Sequence, residues 1–447
     1  MPAAADAVSD DTRGFPKRRA FAWLGSLGLM LAALALALLL GELGLRSIGQ
    51  SYYWAIAKRP DPVLGWRPPA DSAAWQGFEG GALVRTNALG FRDRDHAVAK
   101  PPGRVRIAVL GDSFTEAVQV PVEQTWWRVM EDWLNGGNCP LAACTAARDS
   151  GEANCGAREF EALNFAVSGY STAQSLLAWR MQASRFAPDV VVLAFFIGND
   201  LTENERTLDA EPLRPYLRPA SADSVRGARP LVLDDAFRHS SAYREATASL
   251  GRGRQWLLEH SRIAQLLVQA RDAARVRDVP PVDTGHASGE PHEPGVDNDI
   301  YRLPTTVAWR RAWEATEAML AAFASEVRAA GARPILLLIG TGAQVHPDAA
   351  ASAGFAEHIG VYDLGYPVRR LLAVAAKNDL AVVNLPAVMA VHARSEGVLL
   401  HGFPGGWPGF GHWNAAGHAV AGEAAARLVC EALRSGPPHR KHAKKHR

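Results

Sequence analysis

The stretch RIAVLGDS, Arg106 to Ser113, joins a short apolar run to a glycine, an acid and a hydroxyl group. A short apolar run of this kind, ending abruptly at Leu110, is typical of a strand buried on both faces of a parallel sheet. The loop after such a strand lies at the sheet edge where ligands bind in open α/β folds. The stretch therefore predicts that the Ser113 hydroxyl reaches a binding crevice, although a serine at a turn or helix cap is the commoner explanation of an isolated Gly-Asp-Ser.

Similar apolar runs recur along the chain and are separated by stretches with helical periodicity. Alternating strands and helices imply a parallel, doubly wound sheet, so we expect an α/β fold. The predicted strands are residues 106–110, 162–165, 190–196, 334–339 and 381–385. The predicted helices are residues 123–135, 172–185, 307–330, 368–378 and 415–433.

An insertion at about 201–306 interrupts this alternation between the third and fourth predicted strands. It contains a predicted helix at 261–275 and a loop-like stretch at 278–299 that is rich in Pro, Gly, Asp and His. The insertion leaves the carboxyl end of a central strand, which is where ligands bind in such sheets. Long insertions are often functional, so it either contributes to the site or is a surface elaboration.

The N-terminal region contains an uncharged run at residues 20–40. As a helix this run would span roughly 30 Å, the thickness of the hydrocarbon core of a bilayer. The basic residues at 17–19 directly precede it, which favours a cytoplasmic N-terminus. The run is longer than the apolar part of a signal peptide, and no clear cleavage site follows. We therefore predict an uncleaved, single-pass anchor at 20–41 in the inner (cytoplasmic) membrane, with the rest of the chain on the periplasmic or extracytoplasmic side.

Composition sets broad limits on the remaining chain. Of 447 residues, 48% are hydrophobic, and 48 basic residues nearly balance 46 acidic ones to give a net charge of +2. A large core is therefore possible, and nothing indicates a nucleic-acid partner. The predicted organisation is a cytoplasmic N-terminus at 1–19, the anchor at 20–41, a linker and approach segment at 42–104, the main domain at 105–435 and a basic, disordered tail at 436–447.

The cysteines fit an oxidising compartment. One or two disulfides are expected among Cys139, Cys144, Cys155 and Cys430, and the spacing leaves the pairing open. A zinc site is the rival reading, but these spacings are not those of a zinc knuckle, and no histidine is interleaved. We expect neither a metal nor a cofactor.

Polar residues follow two further strands and precede the last predicted helix. Gly169 follows the second strand, Asn199 follows the third, and His412 stands before the helix that begins near Asn414. The amides of Ser113 and Gly169, with the Asn199 side chain, would give three donors for an oxyanion. His412 could take the Ser113 proton as a general base. Taken alone, Asn199 is more simply interpreted as a turn residue. His418, six residues after His412, is interpreted as a packing or capping residue.

Together these blocks resemble those of the SGNH hydrolases, also called the GDSL esterase/lipase superfamily. The four name-giving residues match in order at Ser113, Gly169, Asn199 and His412, and the resemblance covers about 105–200 and 330–430. The segments PVLGW (62–66) and NALGFRD (87–93), before RIAVLGDS, look like the membrane-anchored bacterial branch. The resemblance implies a flavodoxin-like three-layer α/β/α fold with a five-stranded parallel sheet, and ester-bond chemistry on acylated substrates.

The sequence departs from the family pattern at two places. Ala117 stands where the first block commonly has glycine, and Phe410 and Gly409 stand where an Asp usually precedes the catalytic histidine. A backbone carbonyl, a distant carboxylate such as Asp363, or a weakened site would each account for the missing acid. We expect a Ser113–His412 dyad oriented by a carbonyl, because such an acceptor can fix the same tautomer as an acid.

The predicted function is a membrane-anchored serine esterase or O-acyltransferase. It would act on acyl esters, most simply acetyl esters, of small molecules or of envelope or exported polysaccharide. The alternative is a weak or inactive carbohydrate-binding or assembly protein that keeps this fold. A flavin or nucleotide binder is disfavoured, because the loop after the first strand lacks a glycine-rich phosphate cradle. Trp407 and Trp413, close to His412, could stack on sugar rings, but packing is the preferred interpretation.

Overall fold

The computed structural model describes residues 17–77, 79–139, 144–145, 154–155, 158–220, 230–277, 293–404 and 406–435. The strands are β1 (Arg59–Asp61), β2 (Gly65–Arg67), β3 (Ala73–Gln76), β4 (Ala82–Arg85), β5 (Arg104–Leu110), β6 (Cys144–Thr145), β7 (Asn154–Cys155), β8 (Glu159–Asn164), β9 (Val190–Phe196), β10 (Tyr216–Pro219), β11 (Leu231–Asp234), β12 (Arg333–Ile339) and β13 (Ala381–Asn384). The α-helices are α1 (Lys17–Ser47), α2 (Ser113–Glu116), α3 (Trp126–Trp133), α4 (Thr172–Met181), α5 (Ser241–Thr247), α6 (Ser249–His260), α7 (Arg262–Arg277), α8 (Val307–Ala329), α9 (Ala349–His358), α10 (Tyr366–Lys377), α11 (Leu385–Glu396) and α12 (Ala415–Arg434). Residues 1–16 of the predicted cytoplasmic segment, the tail 436–447 and residues 278–292 of the loop-like stretch lie outside the described residues.

Five strands form one parallel sheet in the order β13-β12-β9-β5-β8. Every residue of β9 is buried, as expected for a strand with helices on both faces. The chain runs from β5 outward to β8, then crosses β5 to build β9, β12 and β13 on the other side, which is the flavodoxin-like order. The predicted five-stranded parallel sheet is confirmed, and only the end residues of the strands differ. Its switch point, where ligands bind in such folds, lies between β5 and β9.

Helices cover both faces of this sheet. α3 and α11 pack against α12, whereas α4 and α10 pack against α8. Right-handed crossovers between parallel strands therefore give two helical layers, α3 with α11 and α12 on one face and α4 with α8 and α10 on the other. The core includes the fully buried Trp126 and Trp127 of α3 and Trp313 of α8. The five helices predicted for the α/β unit are confirmed, as is the one predicted at 261–275, which is α7. The helices α2, α5, α6, α9 and α11 are additional.

A disulfide joins two neighbouring helices of one helical layer, α3 and α12. Cys139, just beyond α3, is bonded to Cys430 in α12, and their Cα atoms are 5.6 Å apart. Cys144 and Cys155 are register partners in the short antiparallel pair β6–β7. Of the pairings that the sequence leaves open, the one between Cys139 and Cys430 is thus present.

The approach segment 42–104 folds onto the α/β unit. It contains two antiparallel hairpins, β1–β2 and β3–β4. A second, smaller core joins Tyr53 and Val84 of this segment to Val118, five residues beyond Ser113, and to Leu258 of the insertion. The segment and the insertion therefore both pack against the chain that follows Ser113.

The N-terminal helix α1 contains the predicted anchor. The span Gly25–Ser47 is long and apolar enough to cross a membrane, with a mean hydropathy of 2.1 and no buried residues in its most apolar window. A signal sequence near an N-terminus meets the same criterion. The last turns of α1 contact α7 of the insertion.

Candidate active site

The turn after β5 presents Ser113 as the first residue of α2. Gly111 has a φ of 153°, and a Cβ there would lie 3.0 Å from the Cβ and 3.2 Å from the carbonyl oxygen of Ala194 in β9. Glycine is therefore required for this close approach to the sheet. Asp112 caps α2 by accepting the Phe114 N–H at 3.0 Å. The Ser113 N–H, at the start of the helix, has no acceptor within that helix.

His412 lies in the loop between α11 and α12, at the same edge of the sheet as Ser113. Its Nε2 is 2.8 Å from Ser113 Oγ. The position of the loop is fixed on both sides of the ring, because Gly402 donates to the His412 carbonyl at 2.8 Å and Asn414 caps α12 through the Gly417 N–H at 3.1 Å. The structure thus brings the predicted nucleophile and base into hydrogen-bond contact.

The other ring nitrogen of His412 is held by Glu79, in the turn between β3 and β4. Glu79 Oε2 is 2.5 Å from His412 Nδ1, and Oε1 accepts the His412 backbone N–H at 2.9 Å. Gly411 lies against this carboxylate, since a Cβ there would lie 2.6 Å from Glu79 Oε1. The side chain of Gln76 donates to the Glu79 carbonyl at 3.0 Å and so steadies the turn.

The expectation that a backbone carbonyl orients His412 in a two-residue dyad is therefore wrong. A carboxylate does so, and it comes from the approach segment. Asp363 plays no part, because its carboxylate binds the Gly365 N–H at 2.7 Å and the Arg369 guanidinium at 2.9 Å. The acid missing before His412 in the sequence is supplied from more than three hundred positions upstream.

The Glu79–His412 pair perturbs both pKa values. Burial alone would lower the pKa of His412, but the hydrogen bond and charge of Glu79 outweigh it and raise that pKa above its ordinary value. Burial alone would raise the pKa of Glu79, and the hydrogen bonds from His412 reverse this and lower it. The pairing therefore favours an ionised Glu79 carboxylate and makes the His412 ring accept a proton more readily.

The predicted oxyanion residue Asn199 lies next to the nucleophile turn. Its Nδ2 is 3.4 Å from Asp112 Oδ2 and 3.4 Å from Glu203 Oε1. Burial raises the pKa of Asp112 to about 6 and that of Glu203 to about 7. Both N–H groups of this amide are thus within hydrogen-bond distance of a carboxyl group, that of Asp112 on one side and that of Glu203 on the other.

The predicted oxyanion residue Gly169 lies in the turn after β8 and has a φ of 76°. Its carbonyl accepts a hydrogen bond from Arg214 Nη1 at 2.6 Å, and the same nitrogen donates to Gln174 Oε1 at 2.9 Å. Arg214 also forms ion pairs with Glu203, at 2.9 Å, and with Asp209. One guanidinium from the insertion is thus bonded to the Gly169 turn and to the acid that holds Asn199.

A buried carboxylate ties the Gly169 turn to the nucleophile helix. Glu116, the last residue of α2, accepts the Ser168 N–H at 2.7 Å and the Ser168 hydroxyl at 2.5 Å. The Tyr53 hydroxyl of the approach segment donates to its other oxygen. Ser113 and Gly169 are therefore held in one frame, although they follow different strands.

Arg92 binds the backbone of the residues that follow Ser113. This residue, from the NALGFRD segment, is fully buried and donates to the carbonyls of Glu116 at 2.9 Å, Val120 at 2.6 Å and Ala117. Ala117 has a φ of 55°, the left-handed conformation in which the family pattern places glycine. Burial lowers the pKa of Arg92 to about 10, so it stays charged at neutral pH.

The remaining aromatic candidates are packing residues or lie at the rim. Trp413 is fully buried and contacts Phe114 edge-on with ring centroids 5.1 Å apart. His418 is buried against Trp413, and burial lowers its pKa to about 3. Trp407 is half-buried. Within the described residues, no group of three or more His, Cys, Asp or Glu side chains is arranged to hold a metal ion.

The sequence singled out Ser113 and His412, which the structure brings into hydrogen-bond contact, and Gly169 and Asn199 at the same sheet edge, but it gave no sign of Glu79 or Arg214. Glu79 sits in the stretch GFEGG at 77–81, which has no periodicity and matches no motif. Arg214 lies in the insertion among other arginines and acids. No local signal separates either residue from an ordinary surface charge.

No family model and no curated protein matches the chain. Among solved structures it is similar to the acetyl xylan esterase AlAXEase, with 11% identity and a TM-score of 0.35 over 73% of this chain and 100% of that one. It is also similar to TesA, with 14% identity and a TM-score of 0.34 over 73% and 99% of the two chains. A lipolytic protein of the G-D-S-L family from Desulfitobacterium hafniense DCB-2 has 11% identity and a TM-score of 0.31 over 72% and 99%.

Proposed function

We propose that this chain is a serine ester hydrolase of the SGNH type. Ser113 is the nucleophile, His412 the general base and Glu79 the acid that orients the base. The observation that carries the proposal is the unbroken row of hydrogen bonds from Glu79 through His412 to Ser113. A hydroxyl bonded to a base that is itself bonded to a carboxylate is the arrangement that activates serine near neutral pH.

In the first half of the reaction, His412 Nε2 takes the Ser113 proton while Oγ attacks the ester carbonyl. Glu79 keeps the proton of His412 on Nδ1 and stabilises the imidazolium as it forms. The N–H groups of Ser113 and Gly169 are the donors for the oxyanion, and Asn199 Nδ2 would join them by exchanging its bond to Asp112 or Glu203 for one to the oxyanion. His412 then gives its proton to the leaving alcohol, and the acyl group remains on Ser113.

In the second half, His412 deprotonates an acceptor that attacks the acyl-enzyme. Water as the acceptor releases the free acid and regenerates Ser113, which is ester hydrolysis. A sugar hydroxyl as the acceptor gives an O-acyl transferase with the same residues in the same roles. The oxyanion donors serve both halves, because each passes through the same tetrahedral geometry.

The membrane context of this proposal rests on α1. Its length and apolar character support a single-pass anchor in the inner membrane, with the enzyme domain on the periplasmic side. That location, together with the motif resemblance, motivates acetyl esters of envelope or exported polysaccharide as substrates. The disulfide between Cys139 and Cys430 fits an oxidising compartment.

The alternative of an inactive carbohydrate-binding or assembly protein loses its main support. That reading depended on the absence of an acid before His412, and Glu79 occupies the position an acid needs. The buried Trp413 is also unavailable for stacking on a sugar.

The test uses the full chain in detergent micelles. With 4-nitrophenyl acetate we expect turnover by the wild type, and Ser113→Ala or His412→Ala should reduce kcat by about 10⁴-fold or more. Intact mass should show an acetyl adduct in wild type that is absent from Ser113→Ala.

Ser395→Ala is the matched control, because Ser395 is an exposed serine on α11 that donates to the His392 carbonyl at 3.0 Å. It should retain full activity. Equal turnover by wild type and Ser113→Ala, from chains with the same melting temperature, would reject the esterase proposal and revive the binding-protein alternative.

A further inference from the structure

The insertion is fastened to the end of the N-terminal helix. Glu42 of α1 accepts the backbone N–H of Arg262 at 2.9 Å and that of Ile263 at 3.1 Å, and the Ser261 hydroxyl donates to it at 3.1 Å. Glu42 therefore caps the first turn of α7 from outside that helix. The apolar run of α1 ends at the residue before it, so α7 begins at the level where that run ends.

Two further contacts hold α6 and α7 at this level. Arg46 Nη2 donates to the carbonyl of His260, the last residue of α6, at 2.5 Å. Gly41 faces the other helix, because a Cβ added there would lie 3.5 Å from Ile263 Cδ1. The junction of α6 and α7 thus packs against the last turns of α1.

The outer face of α6 and α7 is apolar and basic. Leu250 is 89% exposed, Trp256 61% and Leu267 68%. Arg252 and Arg254 are exposed between them. Two of these side chains are on α6 and one is on α7, and so much exposed apolar surface on two consecutive helices is unusual for a soluble protein. Trp and Leu beside Arg is the composition of helices that lie in a membrane interface.

The charge of these helices favours an anionic surface. Residues 249–277 contain six arginines and two acids. Both acids are engaged: Glu259 accepts from Gln255 at 3.0 Å and lies 3.9 Å from Arg59, and Asp272 pairs with Arg271 at 2.8 Å and accepts from the Tyr52 hydroxyl at 3.3 Å. The exposed Arg252 and Arg254 are the cations that lie beside the apolar groups of α6, and phosphate headgroups over acyl chains complement both.

We propose that α6 and α7 lie on the surface of the membrane that α1 crosses, with Leu250, Trp256 and Leu267 at the boundary between headgroups and acyl chains. The occupant of this face is an anionic phospholipid bilayer. The inference rests on the anchoring given under the proposed function. The enzyme domain is then held at two places, by α1 and by the insertion, and the catalytic edge of the sheet has a fixed height above the lipid.

The test places a photoreactive p-benzoylphenylalanine at Trp256 in the full chain, reconstituted in vesicles of phosphatidylcholine with a minority of phosphatidylglycerol. The matched control carries it at Lys377, an exposed position at the end of α10, which lies at the opposite edge of the sheet from Ser113. After illumination we expect at least about tenfold more phospholipid adduct at Trp256 than at Lys377. Equal adducts, or cross-links from Trp256 to a second copy or to another protein, would overturn the proposal.

Extraction of the same vesicles with alkaline carbonate distinguishes failure of the membrane anchoring from failure of this inference alone. A chain released by carbonate is not anchored, and then the anchoring and this inference both fail. A chain retained by carbonate, but without lipid adduct at Trp256, is anchored through α1 alone, and only this inference fails. Hydrolysis of 4-nitrophenyl acetate should be equal in both labelled chains, because neither position touches the site.

Discussion

The nucleophile turn and the turn between β3 and β4 meet at one imidazole ring, but they are built in different ways. Around Ser113, the glycine, the cap and the hydroxyl are neighbours in sequence, and each has a local geometric reason. Glu79 has no such local support, and its function exists only because His412 lies within 2.5 Å of it. A motif can therefore encode a nucleophile locally, whereas the acid can come from any segment that the fold brings to the ring.

This difference explains how the site tolerates Gly409 and Phe410 where the family pattern has an acid. What the chemistry requires is a carboxylate at Nδ1 of the histidine, and the route of the chain to that point is free. The approach segment fills this role because its hairpin packs beside the nucleophile turn, through the small core that includes Val84 and Val118. The variants below test how far the positions of Ser113 and His412 depend on residues that are distant in the sequence.

The largest effect is expected from Glu79→Gln. The amide keeps the size of the side chain but removes its charge and favours the wrong tautomer of His412, so kcat should fall by about 10³-fold. The exposed Glu123→Gln is the matched control and should leave kcat unchanged. Steady-state kinetics with 4-nitrophenyl acetate measure both variants.

The pH profile distinguishes orientation from a merely structural role for Glu79. The base must be neutral to act, and Glu79 raises the pKa of His412, so kcat/KM of the wild type should rise with pH through a pKa above the ordinary histidine value. Without that charge, desolvation lowers the pKa of His412, and Asp112 is the carboxylate left to oppose it. The acidic limb of the Glu79→Gln profile should therefore move to lower pH, and an unmoved limb would argue against the role.

The next effect concerns the frame of the nucleophile turn. Arg92→Met leaves the buried carbonyls of Glu116 and Val120 without this donor, whereas the Ala117 carbonyl keeps the Val120 N–H at 3.3 Å. We expect a loss of about 2 kcal/mol in the free energy of unfolding, since each unpaired buried group costs on the order of 1 kcal/mol or more. Thermal unfolding of the full chain in micelles measures it. The exposed Arg434→Met, in the last turn of α12, serves as control.

A smaller effect is expected from Arg214→Met, which tests support from the insertion. Without the guanidinium, the Gly169 carbonyl loses its donor and Glu203 loses its ion-pair partner. Two oxyanion groups then shift, so kcat should fall by about tenfold to a hundredfold with little change in KM. Arg214→Lys should recover only part of the loss, because one ammonium cannot reach all four partners. Equal losses in 1/KM and kcat would indicate substrate binding instead.

The smallest effect is expected from Ser168→Ala. It removes one of the two bonds from Ser168 to Glu116 and leaves the backbone bond at 2.7 Å. The free energy of unfolding should fall by about 1 kcal/mol, and kcat should stay within a few-fold of wild type. A loss of kcat comparable to that of Ser113→Ala would contradict this expectation and show that the Ser168 hydroxyl bond to Glu116 is essential for catalysis.

Much of the fold was readable from sequence because buried strands leave a strong signal. β9 and β12 are short runs of Val, Ile, Leu and Phe, and such runs have few alternatives in an α/β chain. Ser113 and His412 were readable because each stands at the end of an element. α11 was not, since it begins directly after β13 with Pro386 in its first turn, where a proline reads as a boundary.

The hairpins of the approach segment and the role of Glu79 could not be predicted from the sequence, because both depend on tertiary contacts. The hairpins of the approach segment are three or four residues per strand, too short for periodicity to show. Glu79 is one acid between glycines, and its partner follows 333 positions later. Single-sequence patterns describe what a residue is next to along the chain, and they carry no record of what it meets after folding.

The hydrogen bond between Ser113 and His412 has a consequence for the timing of activity during synthesis. His412 follows Ser113 by 299 positions and stands just before α12. Under the proposed function, the nucleophile is therefore made early and its base late. A fragment that ends before His412 should not cleave an ester, so catalysis would report that translation has passed His412 and that its loop has folded against Ser113.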